Sequence, residues 1–125
     1  MTVLVDTSVL IDYLRGHTGA SKVLEGARGQ GSLHASEITR LEVLAGMRPS
    51  EEEATRSLLD VMVWHPVDAE VAEVAGELGR QWLPSHRSID SADLAIAATA
   101  IRLGAKLLTC NVRHFPMFPD LAPPY

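Results

Sequence analysis

Apolar residues follow two rhythms along this chain, short continuous runs and spacings of three to four, and the two alternate. Thr2 to Val5 is a β-branched and aliphatic run that stops at Asp6-Thr7-Ser8, three residue types that cap helices well. A strand is therefore expected to run straight into a helix. That helix carries Val9, Leu10, Tyr13 and Leu14 on one face, and Gly16 ends it. A second helix is expected from about Ala20 to Ala27, closed by glycines, followed by a weak strand over Ser32 to Ala35. Ser36 caps a strongly periodic helix, Ile38, Leu41, Val43, Leu44 and Met47, which leads to Pro49.

The second half repeats the alternation. Ser50 with Glu51, Glu52 and Glu53 opens a helix in the pattern that suits a positive N-terminal dipole, with Leu58, Leu59 and Met62 as its buried face. Trp64 to Val67 is a short extended piece broken by Pro66. Asp68 caps a long helix through Val71, Val74, Ala75, Leu78 and Trp82 that stops at Leu83-Pro84, and the polar, basic Ser85 to Ser88 reads as a loop. Asp90 or Ser91 begins an alanine-rich helix to about Leu103, Gly104 ends it, and Lys106 to Thr109 is a strand of the buried kind. The prolines after Cys110 are expected to preclude a helix there. Alternating strands and helices predict an α/β sandwich around a parallel sheet with right-handed crossovers. Ligands of such sheets sit at the carboxyl ends of the strands, which directs attention to Asp6 and to the residues after Thr109.

Composition narrows the class. The 125 residues, 46% apolar and 22% charged, suit one globular domain able to bury a real core. A single cysteine excludes an intrachain disulfide or a zinc–thiolate cluster and points to the cytoplasm. The opening residues lack the pattern of a signal peptide, and no apolar stretch approaches the roughly 18 residues needed to cross a bilayer, so no membrane association is expected. Eleven Lys plus Arg against 16 Asp plus Glu give a net charge of −5, which argues against a protein that coats DNA through a broad basic surface. It leaves room for a nuclease, whose metal-binding carboxylates are themselves a source of local negative charge.

Three acidic residues stand out by position. Asp6 lies where an apolar strand becomes a helix, either as an N-cap or as a carboxylate projecting into the crevice above the sheet. Glu42 shares a helical face with Ile38, Ala45 and Gly46, where a carboxylate calls for a partner, either a metal or one of Arg40 and Arg48 at the helix margin. Asp93 shares its face with Ala97 and Ala100 one turn into its helix, where it either serves the site or completes a capping box with Asp90. Asp90 itself reads as the cap. Acidic side chains from distant segments suggest oxygen ligands for Mg²⁺ or Mn²⁺, an ion able to activate water and neutralise a phosphate. The five histidines have no i, i+4 pairing, so zinc is not indicated. Glycine-rich phosphate loops and the nucleophile elbow are absent. Met47, Met62, Trp82 and Cys110 read as packing residues.

Four segments together carry a resemblance: Val5-Asp-Thr-Ser-Val-Leu-Ile-Asp12, Ile38-Thr-Arg-Leu-Glu-Val-Leu-Ala-Gly46, Ala92-Asp-Leu-Ala-Ile-Ala-Ala-Thr-Ala100 and Leu108-Thr-Cys-Asn-Val-Arg-His-Phe-Pro116. In that order and at those separations the chain resembles PIN-domain proteins, specifically VapC-type toxins of bacterial type II toxin–antitoxin pairs. The resemblance spans nearly the whole length. It implies a three-layer α/β/α sandwich with a central, mostly parallel sheet of four to five strands. It also implies a Mg²⁺- or Mn²⁺-dependent endoribonuclease, a homodimer, held inactive by a VapB-like antitoxin and acting on tRNA or rRNA.

Carried over by residue, Asp6, Glu42 and Asp93 match the family's first three carboxylates, and Thr7 or Ser8 the hydroxyl position after the first. Asn111 stands where a fourth acid is expected, and His114 where an acid often precedes Phe115. These departures put a complete second metal site in question, with Asp90 as a substitute ligand. Arg15, Arg87, Arg113 and His114 are candidates for phosphate contacts at the rim, each with ordinary solubilising charge as its alternative. Two other readings stand beside the enzyme: a PIN scaffold with weakened catalysis that acts by binding, and a receiver-like phospho-accepting domain, less well matched because Glu42 and Asp93 fall on helices.

Overall fold

Four short, mostly apolar runs make the strands, and the residues between them make the helices. The computed structural model describes residues 1–125. Strand β1 (Val3–Val5) leads into α1 (Thr7–Leu14) and α2 (Thr18–Gln30), β2 (Leu33–Ser36) into α3 (Glu37–Ala45) and α4 (Glu52–Asp60), and β3 (Val63–His65) into α5 (Ala69–Trp82) and α6 (Ser91–Leu103); β4 (Lys106–Leu108) closes the series. All neighbouring strands are parallel, in the order β3-β2-β1-β4, with Leu4 opposite both His34 and Leu107. Helices lie on both faces of the sheet, as the sandwich expectation requires.

The pleat divides the apolar residues between two cores, because successive side chains of a strand point to opposite faces. Val5, Leu33, Ala35 and Leu108 pack with Val9 and Leu10 of α1, Leu24 of α2 and Leu58 and Leu59 of α4. Leu4 and Leu107 face the other way, onto Ile96, Ala97 and Ala100 of α6 and onto Phe115. The alanines let α6 lie close to the sheet, and every residue from Asp93 to Ala100 is buried. No helix is long and apolar enough to cross a membrane.

The departures from expectation have local causes. Pro49 opens a 3₁₀ turn (Pro49–Glu51) before α4, in which the Arg48 N–H donates to Glu51 Oε1 at 2.8 Å, so the helix starts later than Ser50 suggests. Strand β3 starts one residue earlier than Trp64 and ends before Pro66, which has no N–H for the ladder. The proline-rich end forms no α-helix but does form a 3₁₀ turn, Val112–His114. Asp68 caps α5 by accepting from the Val71 N–H at 3.0 Å, and Gly104 ends α6 at φ 61°, a conformation that suits glycine.

The strand order places the candidate site. β1 leads towards β2 on one side while β4 joins on its other side, so the crevice beyond the carboxyl ends of β1 and β4 is the switch point of the sheet. The close fit of α6 sets one wall of it. Ala97 is fully buried, so Ala97→Leu is expected to destabilise the protein by about 1–3 kcal/mol, read as a lower midpoint in urea; an unchanged midpoint would contradict the close packing of α6.

Candidate active site

Asp6 follows β1 directly and is 3% exposed. It occupies the N-cap position of α1, yet its side chain caps nothing. Instead its Oδ2 accepts hydrogen bonds from Ser8 Oγ and Thr109 Oγ1, both at 2.7 Å. Each of these hydroxyls is held in turn by a backbone donor, Ser8 by the Cys110 N–H at 3.1 Å and Thr109 by the Asn111 N–H at 3.0 Å. The turn after β4 thus fixes the carboxylate at the end of β1. Thr109, fully buried, is a site residue that sequence reasoning missed; its only signal is a polar side chain closing a buried strand.

Glu42 belongs to a second network. Thr7 Oγ1 lies 2.7 Å from Glu42 Oε1 and 3.1 Å from Thr39 Oγ1. A hydroxyl has one proton, and with that proton on the carboxylate the Thr39 hydroxyl supplies the second bond. Thr39 is fully buried and was likewise missed. Glu42 itself is half-buried, while Ala45 and Gly46 on its face are exposed, so an apolar enclosure is not what constrains it. The alternative of an arginine partner fails: Arg40 pairs with Glu37 at 2.5 Å and lies over Trp64, and Arg48 forms no ion pair.

Asp93 sits in a third network. It completes a capping box with Asp90, accepting from the Asp90 N–H at 3.1 Å while Asp90 Oδ1 accepts from the Asp93 N–H at 2.8 Å. The structural alternative for Asp93 is therefore realised, and Asp90 is the cap. Asp93 Oδ2 also lies 3.0 Å from His114 Nδ1, which takes His114 out of the rim and into the site. Burial pushes the Asp93 carboxyl up to about 6, and the charge of Asp90 adds to the rise; the Asp90 N–H and His114 act in the opposite direction.

None of the three carboxylates is paired with a lysine or arginine, since the arginine ion pairs join Glu37, Glu52 and Glu70. Three carboxylates with no lysine or arginine among them are the kind of donor a hard divalent ion takes. As they lie, however, no three Asp, Glu, His or Cys side chains are gathered closely enough to hold one. Asn111 is exposed and contributes its backbone N–H. Arg87 and Arg113 are exposed near Asp90 and His114 in the chain. Arg15 is exposed at the far end of α1, about 13 to 14 Å along the helix from Asp6. Cys110 is only half-buried, and its thiol lies 3.0 Å from the Tyr125 hydroxyl, which donates to Asp12 at 2.7 Å.

Residues 3–119 match the PIN domain. The chain belongs to the PIN-domain family. Among its relatives, Ribonuclease VapC19 of Mycobacterium tuberculosis is 48% identical over 123 residues, 98% of each chain. Ribonuclease VapC10 of the same organism is 40% identical over 98% of this chain and 92% of its own. A solved toxin-antitoxin complex from Klebsiella pneumoniae contains a chain that superposes with a TM-score of 0.83 at 28% identity, over 99% of this chain and 98% of that one. Membership of the PIN-domain family sets aside the receiver-like reading.

In this PIN domain the raised Asp93 carboxyl has a measurable consequence. Because its value rises from 3.8 to about 6 on folding, the native state binds this proton more tightly than the unfolded chain does. Its contribution to stability is full below about 4, declines as pH rises through 6 and is lost above it. Asp93→Asn carries no charge, so the metal-free variant is expected to be about 1 kcal/mol more stable than the parent at pH 7.5, with the difference fading towards pH 4. Urea melts at the two pH values check this, and a variant less stable at pH 7.5 would contradict it.

Proposed function

We propose that this PIN domain is an endoribonuclease dependent on Mg²⁺ or Mn²⁺ and the toxin of a type II toxin–antitoxin pair. The observation that carries the reading is the set of carboxylates, Asp6, Glu42 and Asp93, left without lysine or arginine partners on a framework 48% identical to a protein named Ribonuclease VapC19. Asp6 and Asp93 would hold the ion, with Glu42 completing the set; a bound divalent ion supplies Lewis acidity and charge neutralisation at a phosphodiester.

The chain's own residues do the positioning. Ser8 and Thr109 hold Asp6 Oδ2, which leaves Oδ1 for a ligand. Thr7 engages Glu42 Oε1 and leaves Oε2 to orient a water or accept its proton. His114 Nδ1 and Asp93 Oδ2, 3.0 Å apart, can share a proton, so His114 can release Asp93 for ligation by turning away. Arg87 and Arg113 offer free guanidinium groups to phosphates, and Asp90 and Asn111 stand at the edge as secondary ligands. The substrate is proposed to be a structured RNA of the tRNA or rRNA kind, read where bases are splayed. A VapB-like antitoxin as the restraining partner is supported by likeness to the relatives named Ribonuclease VapC and to the solved toxin-antitoxin complex; a single-domain homodimer in the cytoplasm is part of the same proposal.

A second reading has its own observation: His114 engages Asp93, Asn111 replaces an acid, and no three ligands are gathered. On that reading the domain binds without cutting. Purified protein incubated with total RNA and Mn²⁺ separates the two. Discrete, EDTA-sensitive fragments are expected, with Asp6→Asn and Asp93→Asn reducing the rate by on the order of 100-fold while retaining the fold by circular dichroism. Folded protein that binds Mn²⁺ but cuts nothing would favour the binding scaffold, and full activity in either variant would overturn the site.

A further inference from the structure

Leu107 turns its backbone towards an edge of the sheet that no strand covers. In a parallel ladder alternate residues give both backbone groups to the same neighbour. The Lys106 N–H donates to Thr2 and the Leu108 carbonyl accepts from Asp6, both at 2.8 Å, so these two residues serve β1 and Leu107 presents its N–H and C=O to the far side. β4 is the last strand there. The C-terminal segment passes without pairing: Pro119, Pro123 and Pro124 have no N–H to give, and the backbone bonds of Phe118 and Leu121 are local, to Phe115 and Phe118.

Between that edge, α2 and the C-terminal segment lies an open groove of about 850 Å³. Its α2 wall carries Lys22, Val23, Gly26 and Ala27, a stripe at helical spacing with small residues in the middle. A Cβ added at Gly26 would meet nothing within 4 Å. Phe118 and Leu121 form the opposite wall. Lys22 and Lys106 are the only lysines in the chain; both line the groove and neither is in an ion pair, while Asp120 is the one acid of the lining. A chain of net charge −5 thus keeps its two lysines, unpaired, beside an unpaired strand edge and apolar walls.

We propose that this groove receives an extended acidic peptide segment of a separate polypeptide, which adds to β4 as a fifth strand. Each feature selects part of that occupant. The outward N–H and C=O of Leu107 ask for backbone, which an extended peptide supplies. Side chains of an added strand alternate between the two faces of the sheet, so apolar ones can meet Phe118 and Leu121 on one face while carboxylates meet Lys22 and Lys106 on the α2 face. β4 is three residues long, so the walls and the lysines must contribute beyond the strand bonds. The groove runs along β4 from Ala105 to Leu108 and beside Met1 and Val3, and its lining includes none of Asp6, Glu42, Asp93 and Thr109. A segment bound there leaves the carboxylates uncovered, so the proposal stands whether or not the domain cuts RNA.

The test is selection of a displayed library of random octapeptides on the full chain, with counter-selection on Gly26→Leu, which fills the groove and keeps the helix because leucine is the better helix former. Alternating apolar and acidic peptides are expected to be enriched for the parent only. Lys22→Glu with Lys106→Glu should weaken a selected synthetic peptide at least about fivefold, with recovery when its acids are exchanged for lysines. Binding should move the Leu107 amide resonance, and methylation of the peptide's backbone nitrogens should abolish it. The proposal is overturned if no such peptides are enriched, if they bind Gly26→Leu equally well, or if Leu107 is unmoved. Self-association of the parent that Gly26→Leu removes would also overturn it, by assigning the groove to a second copy.

Discussion

Burying a carboxylate costs several kcal/mol unless donors meet it, and Asp6, 3% exposed at the end of β1, sets that demand at the centre of the molecule. The answer comes from residues far apart in sequence. Ser8 is placed by the first turn of α1, and Thr109 by the pairing of β4 with β1 in a register that sets Leu108 opposite Val5. The N–H groups of Cys110 and Asn111 then orient the two hydroxyls, so the donors arrive already aimed. A slip of β4 by one residue would withdraw Thr109 and exchange the faces presented by Leu107 and Leu108. The site and the two cores therefore depend on the same register.

The same geometry ties the three networks together without merging them. Asp6 and Thr7 are consecutive, so fixing one at the end of β1 fixes the other against Glu42 and Thr39 on α3. Thr109 and His114 belong to the one short segment after β4, so the stretch that supplies a donor to Asp6 also delivers an imidazole to Asp93 on α6. Each carboxylate is met by its own partners, Asp6 by Ser8 and Thr109, Glu42 by Thr7, and Asp93 by the Asp90 N–H and His114. The raised Asp93 carboxyl reflects its burial first, with the neighbouring charge of Asp90 adding to it.

Much of the fold was legible because punctuation and periodicity agreed: Asp68 and Asp90 cap where their types predict, Gly104 ends α6, and the apolar runs are strands. The site was legible in its acids and less so in its reasons. Asp6 was found by its place between strand and helix, but its ligands Ser8 and Thr109 could not be ranked without knowing which strands adjoin. Glu42 was singled out for an apolar face that proves partly exposed, whereas its actual constraint, Thr7, lies 35 residues away. Local wheels carry no information about such a partner. The 3₁₀ turn that brings in His114 was hidden by the prolines around it, which exclude an α-helix but not a single tight turn.

The continuous burial of Asp93 to Ala100 in α6 has a consequence for how the molecule comes apart. Local opening follows segments with few buried contacts, and the most enclosed elements separate only with global unfolding. Asp93 to Ala100 is the most continuously buried stretch of the chain, so Asp93 rides on the part of the protein that opens last. His114 rides on a short turn that is exposed at Asn111 and Arg113 and anchored in the core by Phe115. With side-chain exposures of 34% for His114 and 11% for Asp93, rotation of the imidazole on its anchored backbone is the freer way to part the pair, and the carboxylate keeps its position.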